Sequence, residues 1–281
     1  MYMLDQRTVV LSDVELAKKA YQLPTLQGRP RIEMMEFEGV RHGIMLTSGQ
    51  EWQEQRRFTL RHLRDFGFGK NYMEGLILEE VDELIEWLKS QEGKPVSINR
   101  KFYLAVINSL WTILAGKRFS HTDPKLEKVF ELLIMSGRSI NPVFIMFMPR
   151  LSKLVPNLSG WNKIQDLIKS SRHIVTDPVK EHTEEFTPDR KENPRDFIDA
   201  YLGEIEKTTD PNSSFYGSLG NASLTDVAMD LFQAGSMTTA TMLTWAVLCN
   251  VIYPEAQEKL QKEIDEVIGK SRPPSLADRP K

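Results

Sequence analysis

Cysteine is nearly absent: one residue, Cys249, in 281. That excludes an internal disulfide and suits a reducing compartment. A charge excess is lacking too, since 36 Lys and Arg against 39 Asp and Glu leave a net charge of −3 and a pI near 6.0. No basic footprint for nucleic acid follows. The five histidines, His42, His62, His121, His173 and His182, form no i, i+4 pair and no HExxH motif, which argues against a metal site. A glycine-rich phosphate loop and a nucleophile elbow are missing as well. Met1 to Arg7 meets a charge at Asp5 before any apolar run develops, so it reads as neither signal peptide nor anchor. What remains, 41% hydrophobic and 27% charged, is the balance of an ordinary globular chain.

One further absence is local. Between Asp230 and Glu255 there is no Asp, Glu, Lys or Arg. Ser223 with Asp226 three residues on forms a capping box, and Pro254 ends the helix that it opens. The result is a rod of roughly 28 residues, about 42 Å long. Gln233, Ser236, Thr238, Thr239, Thr241, Thr244 and Asn250 are too many polar groups for lipid contact, so a buried central helix is expected. Its middle holds a bare notch of Ala234, Gly235 and Thr238, spaced to share one face. A glycine inside a helix costs roughly 1 kcal/mol against alanine and wants a reason. Either another helix packs closely there, or a flat ligand or small substrate lies against it. The helix alone does not choose.

Elsewhere, the β-branched run Thr8 to Leu11 reads as a strand, and Ser12-Asp-Val-Glu15 opens a helix to about Tyr21. A loop from Gln27 to Gly49 carries apolar Ile32, Met34, Met35, Ile44, Met45 and Leu46, which suggests a lining role. Helices are expected over 50–64, 71–91, 98–115 and 124–139. The apolar connector Pro142 to Pro149 follows, then a helix from Ser159 that Pro178 should kink or end. A short helix runs from Asn193 through Glu206, and the polar segment Thr208 to Gly220 reads as a mobile surface loop. Pro254 to Ile268 is amphipathic. The fold class is all-α, mainly helical with minor β.

Trp52 and Arg56 lie four apart on one helix, and both are hydrogen-bond donors that suit a carboxylate. Taken alone, such a pair is most often a surface ion-pair partner beside a core tryptophan. It stands, however, in Gly49-Gln-Glu-Trp and runs into Arg56-Arg-Phe-Thr-Leu-Arg-His-Leu-Arg-Asp-Phe-Gly-Phe-Gly-Lys70. With Asn99-Arg-Lys-Phe, Gly116-Lys-Arg-Phe119, Pro194-Arg-Asp-Phe-Ile-Asp-Ala-Tyr-Leu202 and Ala234-Gly-Ser-Met-Thr-Thr239, this pattern resembles the haem-thiolate monooxygenases, the cytochromes P-450, and their microsomal drug- and lipid-oxidising branch. The resemblance spans residues 1–281 as a single partial domain, truncated at both ends, from the family's second helix through the helix after the long central one.

The resemblance implies haem (iron protoporphyrin IX) as cofactor. Trp52, Arg56 and Arg29 would hold its propionates, and Ala234, Gly235 and Thr238 would form the oxygen groove, where the hydroxyl aids proton delivery. Ile32, Met35, Met45, Leu46 and Met229 would line an apolar substrate pocket. Arg57, Arg61 and Arg64 are either a solvated basic face or the docking face for an acidic electron donor, NADPH-cytochrome reductase or cytochrome b5. The implied location is the cytosolic face of the endoplasmic reticulum membrane, through an anchor ahead of this stretch. No nucleic acid partner is implied.

Two departures stand out. Met237 replaces the acid that the family usually carries before the groove threonine, and the axial cysteine loop is expected beyond Lys281. Cys249 lacks the ligand loop's surroundings and reads as a small core residue. The expected activity is insertion of one oxygen atom into an apolar xenobiotic, fatty acid or steroid-like molecule. The alternative is a non-catalytic remnant or helical interaction module, since this stretch alone is expected to be inactive.

Overall fold

The computed structural model describes residues 2–3, 6–30, 32–36, 39–139 and 142–278, without the side chains of 2, 3, 6, 135–139, 142, 143 and 147. Two short antiparallel strands, β1 (Tyr2–Met3) and β2 (Gln6–Arg7), pair Tyr2 with Arg7 and Met3 with Gln6. The helices are α1 (Val14–Gln22), α2 (Gly49–Asp65), α3 (Asn71–Ser90), α4 (Asn99–Ala115), α5 (Pro124–Ser139), α6 (Pro142–Phe147), α7 (Pro149–Leu154), α8 (Pro156–Ser159), α9 (Trp161–Glu184), α10 (Pro188–Glu192), α11 (Phe197–Lys207), α12 (Gly217–Ile252) and α13 (Pro254–Val267). The chain is mainly helical with minor β, as its patterning indicates.

Local signals set most boundaries. Asp13, rather than Ser12, caps α1 by accepting the Leu16 amide at 2.7 Å. Gly116 closes α4 in the left-handed region, φ 62°, where a side chain is disfavoured. Pro124 and Pro254 stand at the first helical position of α5 and α13, where their missing N–H costs nothing.

Several expectations are corrected. Thr8 to Leu11 lies outside any strand. The segment Pro142 to Pro149 is helical and plants Ile145 in the core. Pro178 does not end α9, which runs on to Glu184; buried Ile174 and Val175 before it and His182 after it hold the helix against the proline penalty of roughly 3 kcal/mol. The segment 208–220 is anchored at Ser214 and Phe215 rather than lying wholly at the surface. Ser214 and Phe215 are buried, and Glu54 of α2 accepts the Ser214 amide (2.8 Å) and hydroxyl (2.7 Å). Gln55, wholly buried, donates to Ser214 Oγ at 2.9 Å.

The chain divides into two compact units, residues 1–57, 124–177 and 208–229, and residues 58–123, 178–207 and 230–281; the division falls inside α2, α9 and α12. In the first unit, Ile145, Ile164 and Ile168 form a cluster on which Met34, Met35 and Trp161 pack. In the second, Trp111 of α4 stacks on Phe119 and meets Phe232 of α12 edge-on, both at 5.6 Å between ring centres. Phe58, Phe197 and Tyr201 make another aromatic group.

The long helix α12 starts six residues before the expected cap. Ser223 lies fully buried inside it and, among the described residues, its hydroxyl has no hydrogen-bond partner, so the capping box is unused. Residues 223–230 are buried, whereas Met242 is 69% and Trp245 58% exposed. The expectation of a wholly buried rod therefore holds for its first half only. Cys249 is exposed, not a core residue. By length and composition α12 could span a membrane, but two buried acids, Asp226 and Asp230, mark its first half as the core of a folded protein.

The second unit also holds a buried ionic network. His182 Nδ1 reaches the Pro178 carbonyl at 2.7 Å and Nε2 reaches Asp196 at 2.8 Å. Both nitrogens thus act as donors, leaving no lone pair for a metal although Asp196 and Asp199 lie close by. Arg195 grips Asp199 through Nε (2.7 Å) and Nη2 (3.0 Å). Burial opposes the charged imidazole, but the bond to Asp196, its charge and the Pro178 carbonyl outweigh that, and the His182 pKa is raised above 6.5. A raised folded-state value contributes stability below the unfolded pKa that is lost as pH rises through the folded one. Denaturant melts should show this loss on passing from mildly acid to alkaline pH. His182→Ala should reduce that pH dependence, leaving the smaller share that His42 contributes, and cost roughly 3–5 kcal/mol by taking the cation away from buried Asp196.

Candidate functional site

In the first unit, α2 places Trp52 and Arg56 one turn apart, and the Arg56 guanidinium lies 5.5 Å from the indole centre, within cation–π range. Trp52 is half-buried and Arg56 exposed. The Arg29 amide donates to Ser48 Oγ at 2.7 Å, which brings Arg29 to the residue just ahead of α2. Among the described residues no acceptor pairs with the Trp52 indole N–H or with the guanidiniums of Arg56 and Arg29. Trp52 and Arg56 thus stand together on α2, and the Arg29 backbone is tied to the residue ahead of that helix. This donor set fits the carboxylates of a cofactor.

In the second unit, the notch on α12 resolves into two faces. A Cβ on Gly235 would sit 2.4 Å from Leu110 Cδ2, so a side chain there would collide with Leu110 of α4 unless that leucine moved. The contact favours packing, the simpler of the two accounts, for this residue. Ala234 and Thr238 point elsewhere and are exposed. Thr238 Oγ1 donates to the Ala234 carbonyl at 2.8 Å, the back-bond that its spacing indicates. Ser236 and Thr244 do the same to Phe232 (2.7 Å) and Ala240 (2.9 Å). Burial pushes the phenol of neighbouring Tyr103 up to about 12. Met237 is exposed.

The residues expected to line a substrate pocket, Ile32, Met35, Met45, Leu46 and Met229, all fall in the first unit. Ile32, Met45 and Leu46 are half-buried. Met35 packs on the Ile145 cluster, and Met229 is buried. On α2, Arg57, Arg61 and Arg64 are exposed. Arg61 stands 3.9 Å from Asp65 with its side chain 77% exposed, a loose pairing of little worth.

A further cluster escaped the motif reading. Asp226 Oδ2 accepts the His42 amide at 2.8 Å, and Oδ1 pairs with Arg172 Nη1 of α9. His42 Nδ1 meets Glu51 Oε1 at 3.0 Å. The hydrogen bond to Glu51 is the largest influence on His42 and raises its pKa; burial opposes it, and the charges of Glu51 and Asp226 assist. Two acids in an apolar helix were the available signal, since a buried carboxylate must find donors.

The sequence pattern described as Cytochrome P450 matches residues 1–281, and the chain belongs to that family. It is 37% identical over 248 residues to Cytochrome P450 2J3 of Rattus norvegicus, covering 85% of this chain and 47% of the relative. Against Cytochrome P450 2J2 of Homo sapiens it is 36% identical over 287 residues, 98% and 54% of the two chains. Farnesoate epoxidase of Bombyx mori is 30% identical over 280 residues, 96% and 54%. The chain thus spans about half the length of the curated relatives it matches.

The Gly235 contact is testable by a double-mutant cycle. Gly235→Val should destabilise by roughly 1–3 kcal/mol through overpacking, and Leu110→Ala in the same chain should recover part of that loss. Additive losses in denaturant melts would show that Leu110 is not what the glycine accommodates.

Proposed function

We propose that the complete protein is a haem-dependent monooxygenase that inserts one oxygen atom of O2 into an apolar small molecule. The observation that carries this reading is the Trp52–Arg56 pair, joined by Arg29 near the start of α2 and lacking any acceptor of its own among the described residues. When bound, haem supplies the one-electron and O2 chemistry that no side chain provides. Trp52, Arg56 and Arg29 hold its propionates. Thr238, whose hydroxyl hydrogen is directed at Ala234, presents oxygen lone pairs that position water. Ala234 contributes a small methyl that leaves room beside it. Met237 cannot relay protons, so proton supply at this helix rests on water that Thr238 positions.

Ile32, Met45, Leu46 and Met229 give the substrate an apolar environment, with Met35 acting through the core that it packs on. One relative is named for epoxidising farnesoate, in keeping with a fatty or terpenoid substrate class. Electrons come from NADPH through a reductase, with cytochrome b5 as a second donor, and the basic face of Arg57, Arg61 and Arg64 receives them. The location is the cytosolic face of the endoplasmic reticulum membrane. Exposed Leu151, Leu154, Val155 and Leu158, the last 87% exposed, add an apolar patch suited to a membrane surface. The family match over residues 1–281 weighs against a non-catalytic helical module.

Reduced, carbon-monoxide-bound preparations of the complete protein should show a thiolate-type Soret band; its absence overturns the reading. Arg56→Ala should weaken haem retention by roughly tenfold or more, the worth of a hydrogen bond to a charged group, and Arg56→Lys should recover only part. Replacing Arg57, Arg61 and Arg64 with Glu should slow reduction by the reductase, more so at low salt, while leaving the substrate-induced spectral shift unchanged. Unaltered reduction kinetics would remove the docking role.

A further inference from the structure

The loop 39–48 is held from the side by a carboxylate that none of the family motifs includes. Asp226 is 2% exposed, and its two oxygens serve two different elements. Oδ2 receives the His42 amide and Oδ1 receives Arg172 of α9. The same loop is closed on itself by Thr47 Oγ1, which donates to the Gly43 carbonyl at 2.6 Å, and is tied at its end by Ser48 to Arg29. His42 is held a second time through its ring by Glu51. Met229 lies three residues on from Asp226, on the same face of α12, and Met45 and Leu46 follow His42 by three and four residues. The groups facing Asp226 and His42 are therefore Arg172 on α9 and Glu51 on α2, besides each other.

We propose that Asp226 is a positioning residue: a latch, set by Arg172, that fixes the loop 39–48 beside the Met229 face and so limits which apolar substrates enter. Its effect on substrate rests on the reading that Met45, Leu46 and Met229 line the pocket. Its mechanical part does not. Arg172 orients the carboxylate by binding one oxygen, and the second oxygen then has one direction in which to accept the loop amide. A buried carboxylate that lost either partner would seek the other more loosely, because an unpaired buried charge is costly.

The experiment is hydrogen exchange of the complete, haem-loaded protein, read on peptides covering 39–48, with α4 peptides as the reference for global opening. Asp226→Asn keeps an acceptor oxygen but loses the charge, and should speed exchange at His42 several-fold. Asp226→Ala should speed it by roughly tenfold or more, as expected for a lost hydrogen bond to a charged acceptor, with α4 unchanged. If Asp226→Ala also loosens α4, Arg172→Lys decides, since it keeps charge but loses the guanidinium fork; it too should speed exchange in the loop alone. Unchanged loop exchange in Asp226→Asn and Arg172→Lys overturns the latch. Titration with apolar ligands of graded size, followed by the spectral shift, tests the second part. The variants should bind large ligands relatively better than small ones, by several-fold. Faster exchange with unaltered ligand ranking overturns the selectivity role, whereas unchanged exchange with Met45→Ala altering binding sinks the latch and leaves the pocket reading intact.

Discussion

A carboxylate buried in an apolar helix has to be satisfied from outside that helix, and this constraint organises the first unit. Asp226 draws a backbone amide from the loop 39–48 and a guanidinium from α9. The second unit solves the same problem with Asp196 and Asp199, which take His182 and Arg195. Such pairs add little net stability compared with apolar replacements, yet losing one partner is expensive. Their effect is to tolerate one arrangement of helices and loops and to penalise others. The apolar clusters around Ile145 and Trp111 supply the driving force, and the buried acids select the register.

Legibility in the sequence followed locality. Helix ends written by one or two neighbouring residues were readable: Gly116 after α4, Pro124 before α5, Pro254 before α13. Where packing competes with local chemistry, the local signal lost. Ser223 and Asp226 have the spacing of a capping box, but both are needed inside the protein, and α12 begins at Gly217 instead. Pro178 would break an isolated helix, yet α9 continues because its flanking residues are buried. The polar segment before α12 looked mobile because composition cannot show that Glu54 and Gln55 wait for Ser214.

The candidate site divides in the same way. Trp52 and Arg56 share a helix, so four-residue spacing was enough to place them side by side. Gly235 had two explanations that no local pattern could separate, and it is the position of Leu110 on α4 that favours packing. Asp226 was out of reach as a functional residue, because its partners lie 184 and 54 residues away in the chain. Long-range pairing of that kind leaves no periodic trace.

The back-bond of Thr238 carries a consequence for what can approach this face of α12. Its one hydroxyl hydrogen is directed at the Ala234 carbonyl, so the oxygen turns only lone pairs outward. Anything that docks on it must bring a hydrogen of its own. Water and alcohols are received, while bare carbonyls and anions meet like polarity and are turned aside. A helix residue with its proton spent inward thus acts as a one-way polarity filter, admitting proton carriers to a surface that has none to give.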